Sequence, residues 1–463
     1  MRRTRFKKIL LLLIGDITLL YTALAIGISL QTRTNSMKSL AFTGRTLPFS
    51  LIFSVWLLTF GAFGFYELRL MRNGKLFLYR LIRVMVSNIV LAIVIFYLFP
   101  LAPEPRRTLF IIAFLATVFI FAWRYLFNAL IIRTSVLRVL LLGTNTEMIQ
   151  LADFLSAHPQ LGYKPVGFLA ADDAGAPLPF PLPLTRYALP REKLHRIIAE
   201  TRAESVIISR EAKQDRAAVR ILFDLIPLGV TVTEFPAFHE MLTGKVPLSL
   251  IEEAWFLENL IGRRKRLYEF FKRVMDIALA ILFGIPALII APFIALAIRL
   301  DSQGNVFFRQ ERVGRHGRKF TLIKYRSMVA NADRMSGMKI HDNGAPVDPR
   351  TTRVGAFLRK TYMDELPQIF NILKGEMSFV GPRPERPHYV RQLRQRIPFY
   401  EMRTLVAPGL TGWAQVNMED DASVEDAPEK MQYDLYYIKN RSAVLDVLVV
   451  LRTIAALVRR QGR

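Results

Sequence analysis

Residues Ile277–Ile298 are uncharged and almost wholly apolar, and this run of 22 residues limits the chain more than any other feature. A helix needs roughly 20 apolar residues to cross a bilayer, so length alone allows a transmembrane span. The residues just beyond the run argue against crossing. Residues 299–326 carry Arg299, Arg309, Arg312, Arg315, Arg318, Lys319, Lys324 and Arg326, offset only by Asp301 and Glu311. Positive charge of this density marks cytoplasmic segments. Pro286 and Pro292 lie inside the run, and each removes a backbone donor and kinks a helix. The pattern therefore predicts a re-entrant hairpin over 277–298 that enters the membrane, breaks and returns to the same face. Irregular backbone at that depth must be covered by protein, so the hairpin is expected to pack on neighbouring helices.

The rest of the chain divides by charge. Of 463 residues, 52% are hydrophobic and the net charge is +25. Residues 1–136 are net +14, residues 137–262 net −3, and residues 263–463 net +14. This combination excludes a disordered chain and points to a membrane protein facing anionic lipid or handling anionic substrates. Nucleic acid is not expected as a partner, because the charge flanks apolar segments and no recognised binding module is evident. Without cysteine, thiolate catalysis, disulfides and Cys-ligated zinc are excluded.

In block 1–136, apolar stretches near 9–30, 48–67, 84–103 and 108–132 predict a bundle of four transmembrane helices. The first is too long an apolar run for a cleavable signal peptide. Arg2, Arg3, Arg5, Lys7 and Lys8, with the cluster Arg69–Arg83, place the N terminus in the cytoplasm. Asp16 and Arg124 fall within spans and are expected to pair inside the bundle or snorkel. Block 137–262 alternates apolar runs (136–143, 163–169, 204–209, 229–233) with helical patterns (146–157, 191–202, 215–227). Such alternation predicts an α/β Rossmann-like domain with a parallel sheet. Its first turn, Gly143-Thr144-Asn145-Thr146-Glu147, has one glycine where a dinucleotide fingerprint has three, so a regulatory or assembly role is preferred. The proline-rich stretch 177–190 reads as a loop. Block 263–463 is expected to be mostly α, with the hairpin at its start.

That last block carries dense motifs. They include Lys272-Arg273-Val-Met-Asp276, Val306-Phe-Phe-Arg-Gln-Glu-Arg-Val-Gly314, Ile323-Lys-Tyr-Arg-Ser-Met328 and Leu358-Arg-Lys-Thr361. Further along stand Asp364-Glu-Leu-Pro-Gln368, Val380-Gly-Pro-Arg-Pro384, Pro408-Gly-Leu-Thr-Gly-Trp-Ala-Gln-Val416 and Tyr433-Asp-Leu-Tyr-Tyr437. As a set they resemble the bacterial sugar transferases, specifically large monotopic phosphoglycosyl transferases. The hairpin departs from that family, which commonly has Ser-Pro at its centre, where this chain has Leu288–Ile289.

Taken alone, Asp364 and Glu365 suit the start of a helix whose apolar residues are Leu366, Ile369, Phe370 and Leu373, with Asp364 as N-cap and Gly375 as terminator. Arg359 and Arg383 nearby suggest an anion site in which a carboxylate stays ionised. The resemblance implies more. It assigns Asp364 as nucleophile and Glu365 as ligand of Mg²⁺, and places Arg359, Arg383, Lys324, Arg326, Arg312 and Gln415 on the substrate. It implies transfer of a hexose-1-phosphate, glucose or galactose, from a UDP-hexose to polyprenyl (undecaprenyl) phosphate through a phosphosugar–Asp intermediate. It also implies a multi-pass protein of the bacterial inner membrane with its catalytic domain in the cytoplasm, bound to the lipid bilayer through Pro286 and Pro292. A homodimer is expected. The competing reading from another class is a non-enzymatic membrane scaffold of polysaccharide assembly. A glycosyltransferase with an Asp-x-Asp metal pair is disfavoured, because no two aspartates stand two residues apart.

Overall fold

The computed structural model describes residues 2–30, 35–66, 75–98, 105–134, 136–170, 184–188, 194–223, 225, 227–248, 251–260, 266–329, 332, 350–418 and 425–460. It forms two compact units, Met1–Phe238 and His239–Arg463.

The first unit opens with four long helices: α1 (Arg2–Ser29), α2 (Asn35–Ala62), α3 (Lys75–Leu98) and α4 (Pro105–Thr134). Within them Lys8–Ser29, Phe77–Phe96 and Leu109–Ala129 are long and apolar enough to cross a membrane, while the described apolar part of α2, Thr46–Gly61, is shorter. The two intramembrane charges pair, as expected. Arg124 donates to Asp16 and, at 2.7 Å, to the Phe65 carbonyl, and the Tyr66 hydroxyl donates to Asp16 at 2.9 Å. Neither charge is left to the lipid.

A five-stranded parallel sheet comes next, in spatial order β3-β2-β1-β4-β5. Its strands are β1 (Leu137–Leu142), β2 (Tyr163–Ala170), β3 (Thr185–Ala188), β4 (Ser205–Ile208) and β5 (Thr231–Glu234). Helices α5 (Thr146–Ala157), α6 (Leu194–Thr201), α7 (Arg210–Gln214) and α8 (Arg216–Phe223) connect them. The core of β1 and β4 is continuously apolar, as a strand covered on both faces requires. Strand β3 lies where the sequence predicts only a loop. Its four residues, Thr-Arg-Tyr-Ala, are too few to show a period of two, and it is held by pairing with β2. The rest of the proline-rich stretch lies outside the described residues.

Helix α9 (Phe235–Thr243) leads into the second unit. Here the composition boundary at 262 differs from the packing. Val246, Ile251 and Phe256, the last on α10 (Glu253–Leu260), share a core with Val390, Leu393, Tyr400, Met431 and Leu435. Charge changes at 262, but the apolar side chains before it already belong to the C-terminal unit.

The long apolar run is α11 (Arg266–Asp301), a helix of 36 residues that continues through Pro286 and Pro292. The expected break in the backbone is absent, since the helix accommodates both prolines. Both of its ends dock on the same unit. Near the start, Arg273 donates to the Ile372 and Leu373 carbonyls at 2.7 Å, and Asp276 accepts from Ser378 Oγ (2.9 Å) and Phe379 N (3.0 Å). Near the end, Ile294 and Ile298 pack with Tyr325 and Leu358, and Asp301 accepts from Val354 N at 2.8 Å. Between them Leu288, Ile289 and Phe293 are 60–71% exposed, an apolar face left uncovered by the described residues.

The remaining elements form the platform beside this helix. They are the antiparallel pair β6 (Phe307–Val313) and β7 (Lys319–Tyr325), then α12 (Arg353–Lys360) and α13 (Gln368–Lys374), and the short parallel pair β8 (Ser378–Val380) and β9 (Gly409–Thr411). Helices α14 (Pro387–Arg396), α15 (Trp413–Asn417), α16 (Ala427–Asn440) and α17 (Ala443–Arg460) complete the unit. A Cβ on Gly409 would lie 2.1 Å from Gly381 N, so that crossing requires glycine. Asp446 of α17 is fully buried and accepts from Tyr268 (2.8 Å), Lys272 (3.1 Å) and Tyr437 (2.7 Å).

Candidate active site

Three chain segments converge on the pair Asp364–Glu365. The first is α12, capped by Thr352, whose hydroxyl accepts Gly355 N at 3.0 Å. It ends at Thr361, and Tyr362 then takes a left-handed backbone conformation (φ 56°) that reverses the chain. For a non-glycine residue this costs about 1–2 kcal/mol. The reversal places Met363–Glu365 in a single 3₁₀ turn ahead of α13.

The second segment is β7. Phe320, Leu322 and Lys324 share one face by the strand period, the first two in the core. The third position in that series carries Lys324, which therefore points at Glu365. Asn371 holds α13 against the same strand: its amide donates to the Thr321 carbonyl at 2.8 Å and its oxygen accepts Ile323 N at 3.3 Å.

The third segment is the turn Gly381–Glu385 after β8. It presents Arg383, whose Nη2 donates to Glu365 Oε1 at 3.1 Å, while Lys324 Nζ donates to the same oxygen at 2.5 Å. Arg383 also lines a shallow, open cleft with Gly314, Pro382, Pro384, Thr404 and Pro408.

The two carboxylates differ sharply. Burial works against ionisation of Glu365, but Arg383 and Lys324 outweigh it and bring its pKa down to about 2. Asp364 accepts no hydrogen bond among the described residues. Burial, with Glu365 adding to it, pushes its pKa up to about 6 against the pull of Lys324, Arg359 and Arg383. Nor does Asp364 cap α13, as the spacing suggests: the N-cap is Pro367, with no side-chain bond. A buried carboxylate facing cations without a hydrogen bond of its own can bond to an electrophile.

The residues assigned from sequence separate into two groups. Asp364, Glu365, Lys324, Arg359 and Arg383 come together. Arg326 does not join them; its guanidinium donates to the Ser302 and Gln303 carbonyls at 2.6 and 2.8 Å and ties β7 to the end of α11. Arg312 lies behind the cluster, donating to the Pro384 carbonyl at 2.9 Å and to Gln310 at 2.7 Å. Gln415 lies two residues past Trp413, which is packed in the core with its indole nitrogen donating to the Gly244 carbonyl at 2.9 Å. Pro286 and Pro292 lie within α11. Sequence reasoning missed Arg403 and Asp434, two buried residues behind the Arg383 turn. Asp434 stands inside the Tyr433–Tyr437 motif and reads there as core.

No group of three or more His, Asp or Glu side chains able to hold a metal occurs among the described residues. Glu365 Oε2 accepts no hydrogen bond among them. Glu365 Oε2 and the neighbouring Asp364 carboxylate, both without a hydrogen bond among the described residues, fit an ion such as Mg²⁺, which takes one or two protein carboxylates and completes its shell with phosphate and water.

Residues 267–460 match the family model described as bacterial sugar transferase. The chain is 42% identical over 233 residues to the UDP-N-acetylgalactosamine-undecaprenyl-phosphate N-acetylgalactosaminephosphotransferase of Aeromonas hydrophila, covering 48% of this chain and 52% of that one. To the UDP-glucose:undecaprenyl-phosphate glucose-1-phosphate transferase of Escherichia coli it is 42% identical over 188 residues, 40% of this chain and 39% of the relative. The enzyme of the same name from Xanthomonas campestris is 31% identical over 335 residues, 69% of this chain and 66% of the relative. The chain thus spans less than two thirds of the length of each of these relatives.

Proposed function

By its residues 267–460 this chain belongs to the bacterial sugar transferase family, and from that premise we propose that it moves a hexose-1-phosphate from a UDP-hexose to undecaprenyl phosphate, releasing UMP and starting assembly of a surface polysaccharide. The observation that carries this reading is the Asp364 carboxylate, buried without a hydrogen bond among the described residues and facing Lys324, Arg359 and Arg383.

In the first step an Asp364 oxygen attacks the β-phosphorus of the UDP-hexose. The bond from that phosphorus to the bridging oxygen breaks, and UMP leaves with the electron pair. In the second step an oxygen of undecaprenyl phosphate attacks the same phosphorus. The bond to Asp364 breaks, the carboxylate is restored, and a polyprenyl diphosphate hexose is released. Lys324, Arg359 and Arg383 hold the phosphate charge through both steps. Glu365, with Asp364 beside it, would hold Mg²⁺, which when bound neutralises the diphosphate and eases departure of UMP.

The apolar face of α11 and the docking of both its ends on one unit support a re-entrant membrane helix, bent at its prolines, with the catalytic unit on the cytoplasmic side of the inner membrane. The strand order of the parallel sheet supports a Rossmann-like reading of the first unit.

Incubation with UDP-hexose alone, followed by mass spectrometry, tests the mechanism. The expected product is protein heavier by one hexose phosphate, mapped to Asp364, with UMP in solution. A panel of UDP-sugars identifies the hexose. Absence of UMP release with every donor, in protein that is folded and supplied with Mg²⁺ and undecaprenyl phosphate, would favour the scaffold.

A further inference from the structure

The turn that presents Arg383 contains two prolines, so it has few amide donors of its own with which to fix its shape. Its carbonyls are instead engaged from outside. Pro382 O accepts Gly409 N at 2.9 Å, and Glu385 O accepts Val313 N at 3.0 Å. Pro384 O accepts Arg312 Nη1 at 2.9 Å, and Arg383 O accepts Arg403 Nη2 at 2.9 Å. Four successive carbonyls are thus held, two by backbone and two by guanidinium groups.

Arg403 is the more deeply placed of these guanidinium groups. It is 6% exposed, and its fork makes further contacts besides the turn. Nη1 donates to Tyr400 Oη at 2.7 Å, Nε donates to Asp434 Oδ2 at 3.1 Å, and Nη2 lies 2.8 Å from the same Asp434 oxygen. Asp434, 1% exposed on α16, anchors the group. Glu385 closes the cluster, with Lys430 Nζ at 2.8 Å and Arg403 Nη1 at 3.8 Å. Burying two charges is expensive, and in proteins generally an apolar pair of similar shape is often as stabilising or more so. The arrangement therefore needs a reason other than stability.

The geometry points to Arg403, fixed by Asp434, as a positioning residue that sets the Arg383 turn so that its guanidinium reaches the phosphate-binding side of Glu365. Arg403 touches neither carboxylate of the dyad; it acts through the main-chain oxygen of the residue that does. A guanidinium suits this role because its planar fork bonds Asp434 and Arg383 O at the same time, which a lysine ammonium on a flexible stem does not reproduce. This inference rests on the proposed transferase activity and adds a residue to it.

The test is a double-mutant cycle in the full-length protein, read as the initial rate of UMP release. Arg403→Lys should lower kcat/KM by about 10- to 100-fold, the scale of a misplaced binding group. In an Arg383→Ala background the same substitution should cause no further loss, because the group it positions is already gone. Asp434→Asn should behave as Arg403→Lys does in both backgrounds. A general structural defect would instead multiply with Arg383→Ala, and that result overturns the proposal, as does wild-type activity in Arg403→Lys. If both Arg403→Lys and Asp434→Asn fail to fold, the pair serves folding and the proposal falls too. A wild-type protein that releases no UMP would instead reject the transferase reading beneath it.

Discussion

Two turns in this molecule look, in sequence, like places for a phosphate, and they are built in opposite ways. In the parallel sheet, the turn after β1 opens α5 at Gly143–Thr146. There Asn145 accepts Met148 N at 3.1 Å and donates to Glu211 Oε2 at 2.8 Å, and Gly143 N is bound by the Leu169 carbonyl at 2.9 Å. A Cβ on Gly143 would meet Ser209 Oγ at 2.6 Å, so that side of the turn is filled. The Met148 and Ile149 amides of the first turn are already bonded to Asn145, and the neighbouring charges, Glu147 and Glu211, are acidic. In the 3₁₀ turn of the second unit, by contrast, Asp364 accepts no hydrogen bond among the described residues, and its neighbours Lys324, Arg359 and Arg383 are cationic, with Glu365 the one acidic group beside it. A helix N terminus is a potential anion site only while its amides and surroundings remain unspent. The presence of a turn between strand and helix is therefore a weaker guide than what its polar groups are already bonded to.

The largest expected effect separates the two carboxylates of the open turn. Asp364→Asn keeps the shape and removes the proposed nucleophile, so turnover should fall by at least about 10³-fold and the covalent adduct should vanish. Glu365→Gln removes a group that pairs with Lys324 and Arg383, and turnover should also fall steeply, but raised Mg²⁺ should restore part of it. Each variant removes one negative charge among the same cations, so bulk electrostatics cannot produce the difference. Equal losses with no response to metal would show that the two act as one charged patch.

The next effect is in pH. Because Asp364 loses its proton at about 6, kcat/KM for the UDP-hexose should fall about tenfold per pH unit below that value. The same group has a signature in stability. The folded carboxyl binds its proton more tightly than the unfolded one, whose ordinary pKa is 3.8, so stability contributed by Asp364 is lost as pH rises from about 4 to about 6. Each pH unit is worth about 1.4 kcal/mol, so Asp364→Asn should be more stable than wild type by about 3 kcal/mol at pH 7, with the gain absent below pH 4. Glu365 works the other way: its contribution is present above its ordinary value of 4.5 and lost only as pH falls towards about 2. Thermal unfolding of the two variants across pH 4–7 tests both signs. A stability gain in Glu365→Gln at neutral pH would mean the burial argument has been applied to the wrong residue.

Much of this was legible in the sequence because it depends on pattern. Hydropathy marked the N-terminal helices and α11, strand–helix alternation marked the parallel sheet, and the charge after Arg299 marked the helix whose two ends dock together. What was not legible depends on which partner a polar group finds in space. Arg326 and Arg312 stand in motifs beside the site, yet one holds the end of α11 and the other the Arg383 turn. Arg403 and Asp434 are 31 residues apart in sequence, and nothing local to either predicts their bond. Asp364 had every local mark of a helix cap. Only the left-handed Tyr362 and the 3₁₀ turn after it remove it from that role. For a similar reason the change in charge at 262 does not coincide with the packing, since Val246, Ile251 and Phe256 lie on the acidic side of it and share a core with Val390 and Met431.

The smallest expected effect tests the closed turn. Asn145→Ala removes the side-chain oxygen that accepts Met148 N and the amide that reaches Glu211. Loss of a helix cap costs about 1 kcal/mol, and the cost should appear locally. Hydrogen exchange at the Met148 amide should quicken about fivefold, while the centre of β1 keeps its protection. Turnover should stay within about twofold of wild type, because a capped and acid-flanked turn has no part in the chemistry assigned to Asp364. Neither a dinucleotide nor a UDP-hexose should slow exchange at Met148 in the wild-type protein, since the amide already has its acceptor. Protection of that amide by either ligand, or a turnover loss near that of Glu365→Gln, would mean that Asn145 moves aside for a phosphate. The turn would then be a second anion site that the resting structure keeps shut.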